Sequence, residues 1–599
     1  MPTVFLRDPV RWIGLAAALF AVAAPGAAQD VESFFGTIRQ RIAEGKPVTV
    51  SGGAGGSIGL NAFRALDGPG APATRRNAPF TWGGNAALNF DVLGVQAPFA
   101  LAVASRNTRF DLPSYTFAGI SPTYRWLTLH AGDRAMAFSP YSLSGIGFRG
   151  GGVEAKPGRW HVMAMGGRLR AERAADIEAN QTGLALRGQR DAYGAKVGYQ
   201  LPAGSSVSAS VFSSRDELLD ALPPADSLEV GLPPERNVVL TLATSLRLSP
   251  KLRFDAELAR SSFTRDRRSP LVDDAGVATS LGGLLPVRTT TAAATAGKAA
   301  LTFSPGFGQF TFGYERIGPE YRTHGSLFVL SDVENVTAAV NLPLFGDVVA
   351  LSATGGLQRN DLAGDQAAEL RRLVGALSLA FNPSERVTAG LSLSNLSATN
   401  RYKALTLTPG SPDSVVLAQA QFSADANVGV ALDQSSAHRL SAQVSYQQAD
   451  LIRDGEVDAE QASTFGLASV SYAYRPAGSA GSASGSLVFN RTETADAVVT
   501  TLGPSVSYTR TLLAERANLS LTATYGINRA APKAQPDPGA PTPEATTSAP
   551  TLQLNLGTSY ALAERQSIGL VGSLLHVGTT AARAGFVDTQ LGLTYGLSF

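Results

Sequence analysis

The sequence predicts an all-β fold, a transmembrane antiparallel β-barrel of about 26 strands (about 24 to 28), with one short N-terminal periplasmic helix. The first observation is a period of two, in which apolar residues alternate with small or polar ones along most of the 599 residues. The second is that short connections with turn residues alternate with long polar ones. The third is length, because about 26 strands of roughly 10 residues leave about a dozen residues for each connection.

Composition excludes several other classes of protein. Lys and Arg number 50 and Asp and Glu 48, so the formal net charge of +2 predicts no nucleic-acid partner. The sequence contains no cysteine, which excludes disulfides, cysteine zinc sites and cysteine nucleophiles. Beyond residue 28, no run reaches the roughly 18 apolar residues that a membrane helix needs. Alternating strands cross a membrane without such a run.

Residues 1–28 are predicted to be a secretory signal peptide. Arg7 and Arg11 supply a charged start, residues 12–24 an apolar core, and residues 26–28 small side chains for cleavage. The alternative, a membrane anchor helix, is disfavoured because the apolar run is too short.

Residues 29–47 are predicted to form a short amphipathic segment at the periplasmic side. Within it, Phe34, Phe35, Ile38 and Ile42 recur at helical spacing before Gly45 and Pro47. The remainder, 48–599, is predicted to be the barrel itself.

Strands and connections follow from the alternation. Clear apolar alternation occurs at 80–91, 193–201, 238–258, 310–315, 519–527 and 552–560. Short turns are predicted at 157–158, 202–204, 250–251, 305–306, 383–384 and 563–564, and long external loops at about 65–78, 171–190, 217–236, 266–286, 400–414 and 530–550. A soluble sandwich, propeller or solenoid is the alternative architecture, but no blade-length repeat is present.

The stretch Asp588–Phe599 alternates most strictly, with leucine and aromatic residues on one face and small or polar residues on the other. It resembles the C-terminal strand of Gram-negative outer-membrane β-barrels, although Thr594 stands where glycine is often found. The resemblance implies that Tyr595, Leu597 and Phe599 form the signal read by the barrel-assembly machinery. It also implies export to the outer membrane and contact with its lipid.

A glycine-rich stretch at 51–56 lacks the Gly-Lys-Ser/Thr ending of a phosphate-binding loop. We interpret it as a smooth first strand where the barrel closes against the last.

The block Tyr124–Arg170 differs from the rest of the chain. Seven basic and two acidic residues give it +5, against −3 for the remainder. Its segment Phe138–Gly145 carries little charge for an external loop and is predicted to fold inward, forming a pore constriction with Arg134, Tyr141, Arg149 and Arg168 that favours anions. The alternative is a structural seam whose basic residues are solvated or face lipid headgroups. The block resembles one found in large, poorly characterised outer-membrane barrels.

Enzymatic chemistry finds little support in the sequence. The five histidines, His130, His161, His324, His438 and His576, show no paired spacing for a metal site. Serine is abundant, so a Ser/His/Asp set assembled from distant strands is a weak prediction. We therefore predict no enzyme, no metal and no cofactor.

The predicted function is an outer-membrane channel or porin that passes hydrophilic solutes through a polar lumen. The first alternative is a translocation or assembly pore for a polysaccharide, lipopolysaccharide or protein, because ordinary porins need only ~16–18 strands. The second is a structural or adhesive barrel with a blocked lumen. Since 29–47 is too short for a plug domain, we also predict inward loops or a separate plug or lipoprotein partner.

Overall fold

A computed structural model describes residues 48–69, 78–92, 95–104, 117–171, 188–217, 232–272, 276–327, 329–403, 414–453, 455–458, 460–476, 478–533, 546–580 and 583–598. Its strands are β1 (Val48–Ala65), β2 (Phe80–Val92), β3 (Val95–Ala104), β4 (Phe117–Ile120), β5 (Thr123–Tyr124), β6 (Leu127–Ala135), β7 (Leu143–Ser144), β8 (Gly147–Ala155), β9 (Trp160–Arg170), β10 (Arg190–Gln200), β11 (Ser206–Asp216), β12 (Arg236–Ser249), β13 (Leu252–Thr264), β14 (Thr291–Phe303), β15 (Gln309–Ile317), β16 (Gly325–Ser326), β17 (Val333–Leu344), β18 (Val349–Asn360), β19 (Ala368–Ser384), β20 (Val387–Lys403), β21 (Ser414–Ala431), β22 (His438–Arg453), β23 (Glu456–Val457), β24 (Ser463–Tyr474), β25 (Gly481–Glu493), β26 (Ala497–Leu512), β27 (Ala517–Pro532), β28 (Thr547–Ala563), β29 (Gln566–Val577) and β30 (Phe586–Ser598). Helical turns occur at Pro202–Gly204 and Val277–Ser280.

These strands form one closed antiparallel barrel of 26 wall strands. The wall count is lower than the strand list because β4 and β5 are two pieces of one strand, β23 pairs with the end of β22 in line with β24, and β7 pairs only with β16. Closure comes from β1, which pairs with both β2 and β30. The predicted fold and strand number are therefore confirmed. The predicted signal peptide and helix lie outside the described residues.

Connections alternate in length around the barrel, as predicted. Two-residue turns join β12 to β13, β19 to β20 and β28 to β29 at one end. At the other end, 19 residues separate β9 from β10 and also β11 from β12. By the usual habit of such barrels, the short turns lie at the periplasmic end and the long loops outside.

The outward face of the wall is apolar. Leu242 and Leu258, paired on β12 and β13, are 61% and 60% exposed, and Val506 is 59% exposed. A continuous band of such side chains would aggregate in water but matches a hydrocarbon layer. Among the described residues, no helix is long and apolar enough to cross a membrane.

The lumen-facing positions differ between two regions of the wall. We call strands β8 to β15 the docked wall, because two loops pack against their inner face. We call strands β24 to β29 the opposite wall, because they occupy the far side of the closed strand order. The docked wall carries lumen-facing charges, which are Glu154, His161, Arg170, Arg190, Lys196, Asp216, Arg247, Arg253, Asp255, Glu257, Lys298 and Glu315.

The buried core also lies at the docked wall. Its main cluster joins loop residues to wall residues, namely Met136, Phe138, Tyr141, Leu143, Phe148, Met163, Met165, Ala192, Phe212, Val239, Ala259, Ala296, Ile317 and Tyr321. A second cluster lies on the outward face, where Leu281, Leu285 and Val287 of the β13–β14 loop cover Val238. Both clusters found in the described residues therefore fall on one side of the barrel.

Candidate functional site

The loop between β6 and β8, residues 136–146, lies inside the barrel. The Tyr141 hydroxyl donates to Glu315 Oε1 at 2.5 Å, and the Ser139 hydroxyl donates to Glu257 Oε1. Lys196 Nζ donates to the Phe138 carbonyl oxygen at 2.6 Å. These partners stand on β10, β13 and β15, so the loop spans the concave face of several strands. Charged groups hold it, and such hydrogen bonds are stronger than neutral ones.

Glycines in the wall make room for this loop. A Cβ atom at Gly194 would stand 2.3 Å from Cε2 of Phe138, and one at Gly152 would stand 2.7 Å from Sδ of Met136. Since real Cβ atoms do not approach so closely, glycine at these positions lets the two apolar side chains reach the wall.

A second loop, residues 318–332, packs on the first. Leu143–Ser144 pairs in parallel with Gly325–Ser326. The Tyr321 hydroxyl donates to the Tyr141 carbonyl oxygen at 2.8 Å, and the two rings meet edge to face with centroids 6.3 Å apart. Burial raises the pKa of both phenols, so both remain protonated donors. The two loops therefore form one layer, which we call the docked layer.

His324 anchors the second loop to the wall. Its Nδ1 lies 2.8 Å from the Ser214 hydroxyl and its Nε2 lies 3.1 Å from Glu235 Oε2. Burial lowers the pKa of His324, and the hydrogen bond to Glu235 opposes that shift without cancelling it. This arrangement has the members of a Ser/His/acid triad, but Ser214 is only 1% exposed. A nucleophile without access to substrate supports no hydrolysis, so we interpret the set as an anchor.

Charge pairs strengthen the wall beside this anchor. Asp216 accepts from Arg190 at 2.5 Å and from Arg170 at 3.1 Å, and Arg190 also reaches Glu235 at 2.6 Å. Removing one member of such a buried network leaves an uncompensated charge, which is strongly destabilising. The network therefore fixes one arrangement of the rim to which the second loop is anchored.

The sequence-predicted constriction residues are divided between the two faces of the wall. Tyr141 lies in the docked layer, and Arg134 faces the lumen, where its Nη2 donates to the Pro98 carbonyl oxygen at 2.9 Å. Arg149 pairs in register with Asp133 and Arg168, on the outward face. Its guanidinium binds Asp133 at 2.7 Å. Arg149 and Arg168 therefore fit the alternative of outward-facing basic residues, and a constriction at Arg134 and Tyr141 stays a prediction.

The predicted assembly residues lie in the closing strand. Tyr595 and Leu597 stand on β30, which pairs with β29 and with β1. Phe599 lies outside the described residues. Recognition by the assembly machinery stays a prediction. The glycine-rich stretch 51–56 lies in β1 and closes the barrel against β30, as predicted.

Several functional residues escaped prediction from the sequence. Glu257, Glu315, Tyr321 and His324 hold the docked layer, yet each belongs to an ordinary strand or loop in the sequence. One feature of the sequence could have indicated the docked wall. It is a carboxylate and a lysine on the polar faces of neighbouring strands, as in Glu257 and Lys298, which lie 3.4 Å apart.

The opposite wall carries no charged residue at any lumen-facing position of β24 to β29. Serine, threonine, asparagine and glutamine prevail there, and neighbouring strands join hydroxyls across the face. Ser505 bonds Thr524 at 2.9 Å, and Ser507 bonds Thr522 at 3.1 Å. This face is hydrophilic without a fixed charge. Among the described residues, no group of His, Asp and Glu side chains is arranged to hold a metal ion.

The solved structures to which this chain is similar include outer-membrane β-barrels. No family model matches the sequence, and no curated protein matches it. OpdK of Pseudomonas aeruginosa, solved with vanillate, is 12% identical, with 61% of this chain and 93% of OpdK covered and a TM-score of 0.27. The P pilus usher translocation pore PapC is 11% identical, with 92% of this chain and 99% of PapC covered and a TM-score of 0.25. A mutant of the ferric enterobactin receptor PfeA of Pseudomonas aeruginosa is 11% identical, with 91% of this chain and 80% of PfeA covered and a TM-score of 0.36. Such low values add no argument about function.

Proposed function

We propose that this outer-membrane barrel is a diffusion channel for hydrophilic solutes, exported by its signal peptide and narrowed on one side by the docked layer. The path runs between the docked layer and the opposite wall. Passage is passive, and discrimination depends on solute size more than on charge.

The observation that carries the proposal is the uncharged, hydroxyl- and amide-rich face of β24 to β29. A wall that packs against a plug is apolar or carries binding groups, as the docked wall does. Neutral polar groups instead solvate a passing solute without holding it.

Dimensions agree with this proposal. About 26 strands at ordinary spacing and tilt enclose a backbone diameter on the order of 50 Å. A packed layer adds roughly 10 Å to the wall that it covers. The docked layer therefore narrows such a lumen without spanning it.

Charge selectivity is expected to be weak, which revises the anion preference expected from the sequence. The lumen face of the docked wall carries six Lys and Arg side chains and five Asp and Glu side chains, so its charges nearly balance, and some are paired directly, as Lys298 is with Glu257. Arg149 is paired on the outward face. Little unpaired positive potential then remains to draw anions into the path.

Single-channel conductance in planar bilayers tests the proposal. The purified barrel should give large, steady current steps with weak ion selectivity in a salt gradient, and polyethylene glycols above a size limit should leave the conductance unchanged. If the barrel inserts into the bilayer but carries no current, that result would contradict an open channel. It would favour a blocked structural barrel or a barrel closed by a partner. Conductance that appears only when a long anionic polysaccharide enters would favour the polymer translocation pore.

A further inference from the structure

The outward face of the external rim holds a group of arginines that the channel does not use. Arg215 ends β11 and pairs directly with Arg236, the first residue of β12. Like charges directly opposite each other on neighbouring strands destabilise a sheet. The arginine cluster consists of this pair and two loop residues, Arg267 and Arg288.

Backbone contacts bring the two loop arginines to the rim. The Arg267 amide donates to the Pro234 carbonyl oxygen at 2.8 Å, and its guanidinium donates to the Asp216 carbonyl oxygen. Arg288 bridges to Leu271, and its guanidinium donates to the Ser269 carbonyl oxygen. Burial first, and then Arg215 and Arg288, lower the pKa of Arg267, as expected for crowded positive groups.

Carboxylates of the described residues do not neutralise this cluster. None of its four arginines forms a salt bridge with a described carboxylate. The nearby carboxylates are fewer than the arginines or are engaged elsewhere. Asp216 binds Arg190 and Arg170, and Asp266 binds Arg268. Asp191, which stands opposite Arg215 on β10, accepts from Gln189 at 2.9 Å, and Glu217 acts on Arg267. The cluster therefore has positive charge available for an external anion.

The position of the cluster indicates which anion it meets. Arg236 and Val238 share the outward face of β12, since Asn237 and Val239 face inward. Below them, the outward residues as far as Leu248 are apolar except for Thr244. Ten residues of a tilted strand rise about 23 Å, close to the ~25 Å apolar band of outer-membrane barrels. The cluster lies immediately above that band, at headgroup level.

Apolar side chains flank the cluster on the same loop. Leu271, Val272 and Leu284 are 58%, 40% and 41% exposed. Arg236 donates to the Leu284 carbonyl oxygen at 3.3 Å, so the apolar and basic groups adjoin. Guanidinium groups bind phosphate through paired hydrogen bonds. A ligand with phosphates and acyl chains satisfies both parts of this surface.

We propose that the arginine cluster is a binding site for the phosphate groups of a phosphorylated lipid of the outer leaflet, with the flanking apolar residues against its acyl chains. The bound phosphate offsets the repulsion between Arg215 and Arg236 and ties the β13–β14 loop to the membrane surface.

Native mass spectrometry of the detergent-purified barrel tests this site. The probe is diphosphorylated lipid A, beside dephosphorylated lipid A and inorganic phosphate at matched phosphate concentration. The wild type should retain the diphosphorylated lipid, and the double variant R215Q/R236Q should bind it about tenfold more weakly, since charge-assisted hydrogen bonds are lost. The matched control is Arg371→Gln, an outward arginine near the external end of β19 that Glu369 already pairs at 2.7 Å.

Three results would overturn the proposal. They are equal retention by the double variant, equal retention of dephosphorylated lipid A, and full displacement of the lipid by inorganic phosphate. Equal retention of dephosphorylated lipid would mean that the apolar residues alone bind, and displacement would mean a site for a free anion. If the double variant fails to show the heat-dependent gel shift of a folded barrel, the single change at the exposed Arg215 replaces it. None of these results depends on channel conductance.

Discussion

The docked wall and the opposite wall belong to one sheet and share the same outward pattern, yet their inner faces differ. Strands β8 to β15 of the docked wall are 9 to 14 residues long and carry charged groups that bind loops. Strands β24 to β29 are 12 to 17 residues long and present only neutral groups to the lumen. The outward pattern is set by lipid, while the inner pattern is free to vary with what each region must hold.

This difference teaches that charge on a lumen wall does not by itself mean selectivity. Glu257 and Glu315 stand where a porin's selecting residues would stand, but both accept hydrogen bonds from the docked loop. Their charge serves to hold the loop in position. The surface that a solute meets is then set by the loop backbone on one side and by hydroxyls and amides on the other.

The largest effect should come from breaking the docked layer with Gly194→Val. Its side chain would displace the Phe138 ring, which already lies 2.3 Å from a Cβ position at residue 194. Loss of the layer should raise single-channel conductance by roughly a third, from the geometry of a ~10 Å layer in a lumen about 50 Å wide. The matched control is Gly83→Val, a lumen-facing glycine with no contact closer than 3.4 Å. Equal conductance of both variants would mean that the layer does not narrow the path.

A smaller effect should follow from acid, through His324. Because burial lowers its pKa, the docked state contains neutral imidazole and loses stability as pH falls below about 6.5, where the undocked side chain binds a proton. Conductance should therefore rise towards that of the Gly194→Val variant between pH 7 and pH 5. His324→Gln should remove this pH dependence. A pH profile identical in both proteins would show that another group controls the loop.

A finer test of the docked layer is Tyr141→Phe. The substitution keeps the ring but removes the donor to Glu315, which retains its bond from Asn335 Nδ2 at 2.9 Å. Docking should weaken by about 1.5–3 kcal/mol, as expected for a hydrogen bond to a charged acceptor. Faster amide hydrogen exchange in residues 138–144 would report this. Tyr525→Phe, on the outward face of the opposite wall, serves as the control and should leave those amides unchanged.

The smallest effect should come from Arg149→Glu. Since Arg149 faces outward and pairs with Asp133, reversing its charge should leave ion selectivity unchanged within error. Arg134→Glu, on the lumen face, should shift selectivity slightly towards cations, because one charge in a wide lumen is screened within about 8 to 10 Å. Reversal potentials in a salt gradient measure both. A large shift from Arg149→Glu would contradict its outward placement.

Much of the wall was predictable from the sequence because lipid imposes a period of two on every strand. Strand number, turn lengths and the closure of β1 on β30 all follow from local pattern. The inward fold of 138–145 also followed, since its low charge set it apart from other external loops.

The contacts of the site were not predictable, because register between strands is a tertiary property. Arg134 and Arg149 lie near each other in the sequence, but pairing of Asp133 with Arg149 places them on opposite faces. A register shift between Arg190 and Asp191 changes the phase at the end of β9, so that Arg170 faces the lumen although Arg168 faces outward. No local sequence pattern predicts the contact between His324 and Ser214, which lies 110 residues earlier in the chain.

The seam between β1 and β30 has a consequence for how the chain folds. Gly55 meets Gly596 and Gly59 meets Gly592 there, so the last pairing unites residues from distant parts of the polypeptide. The entropy of closing so long a loop exceeds that of a hairpin of about 20 residues by only about 3 kcal/mol. The interval before closure is the greater hazard for folding. Until β30 pairs with β1, the growing sheet keeps two unpaired edges that can pair with another chain. Completion of this seam, late in assembly, removes the last unpaired edges through which copies of the protein can aggregate.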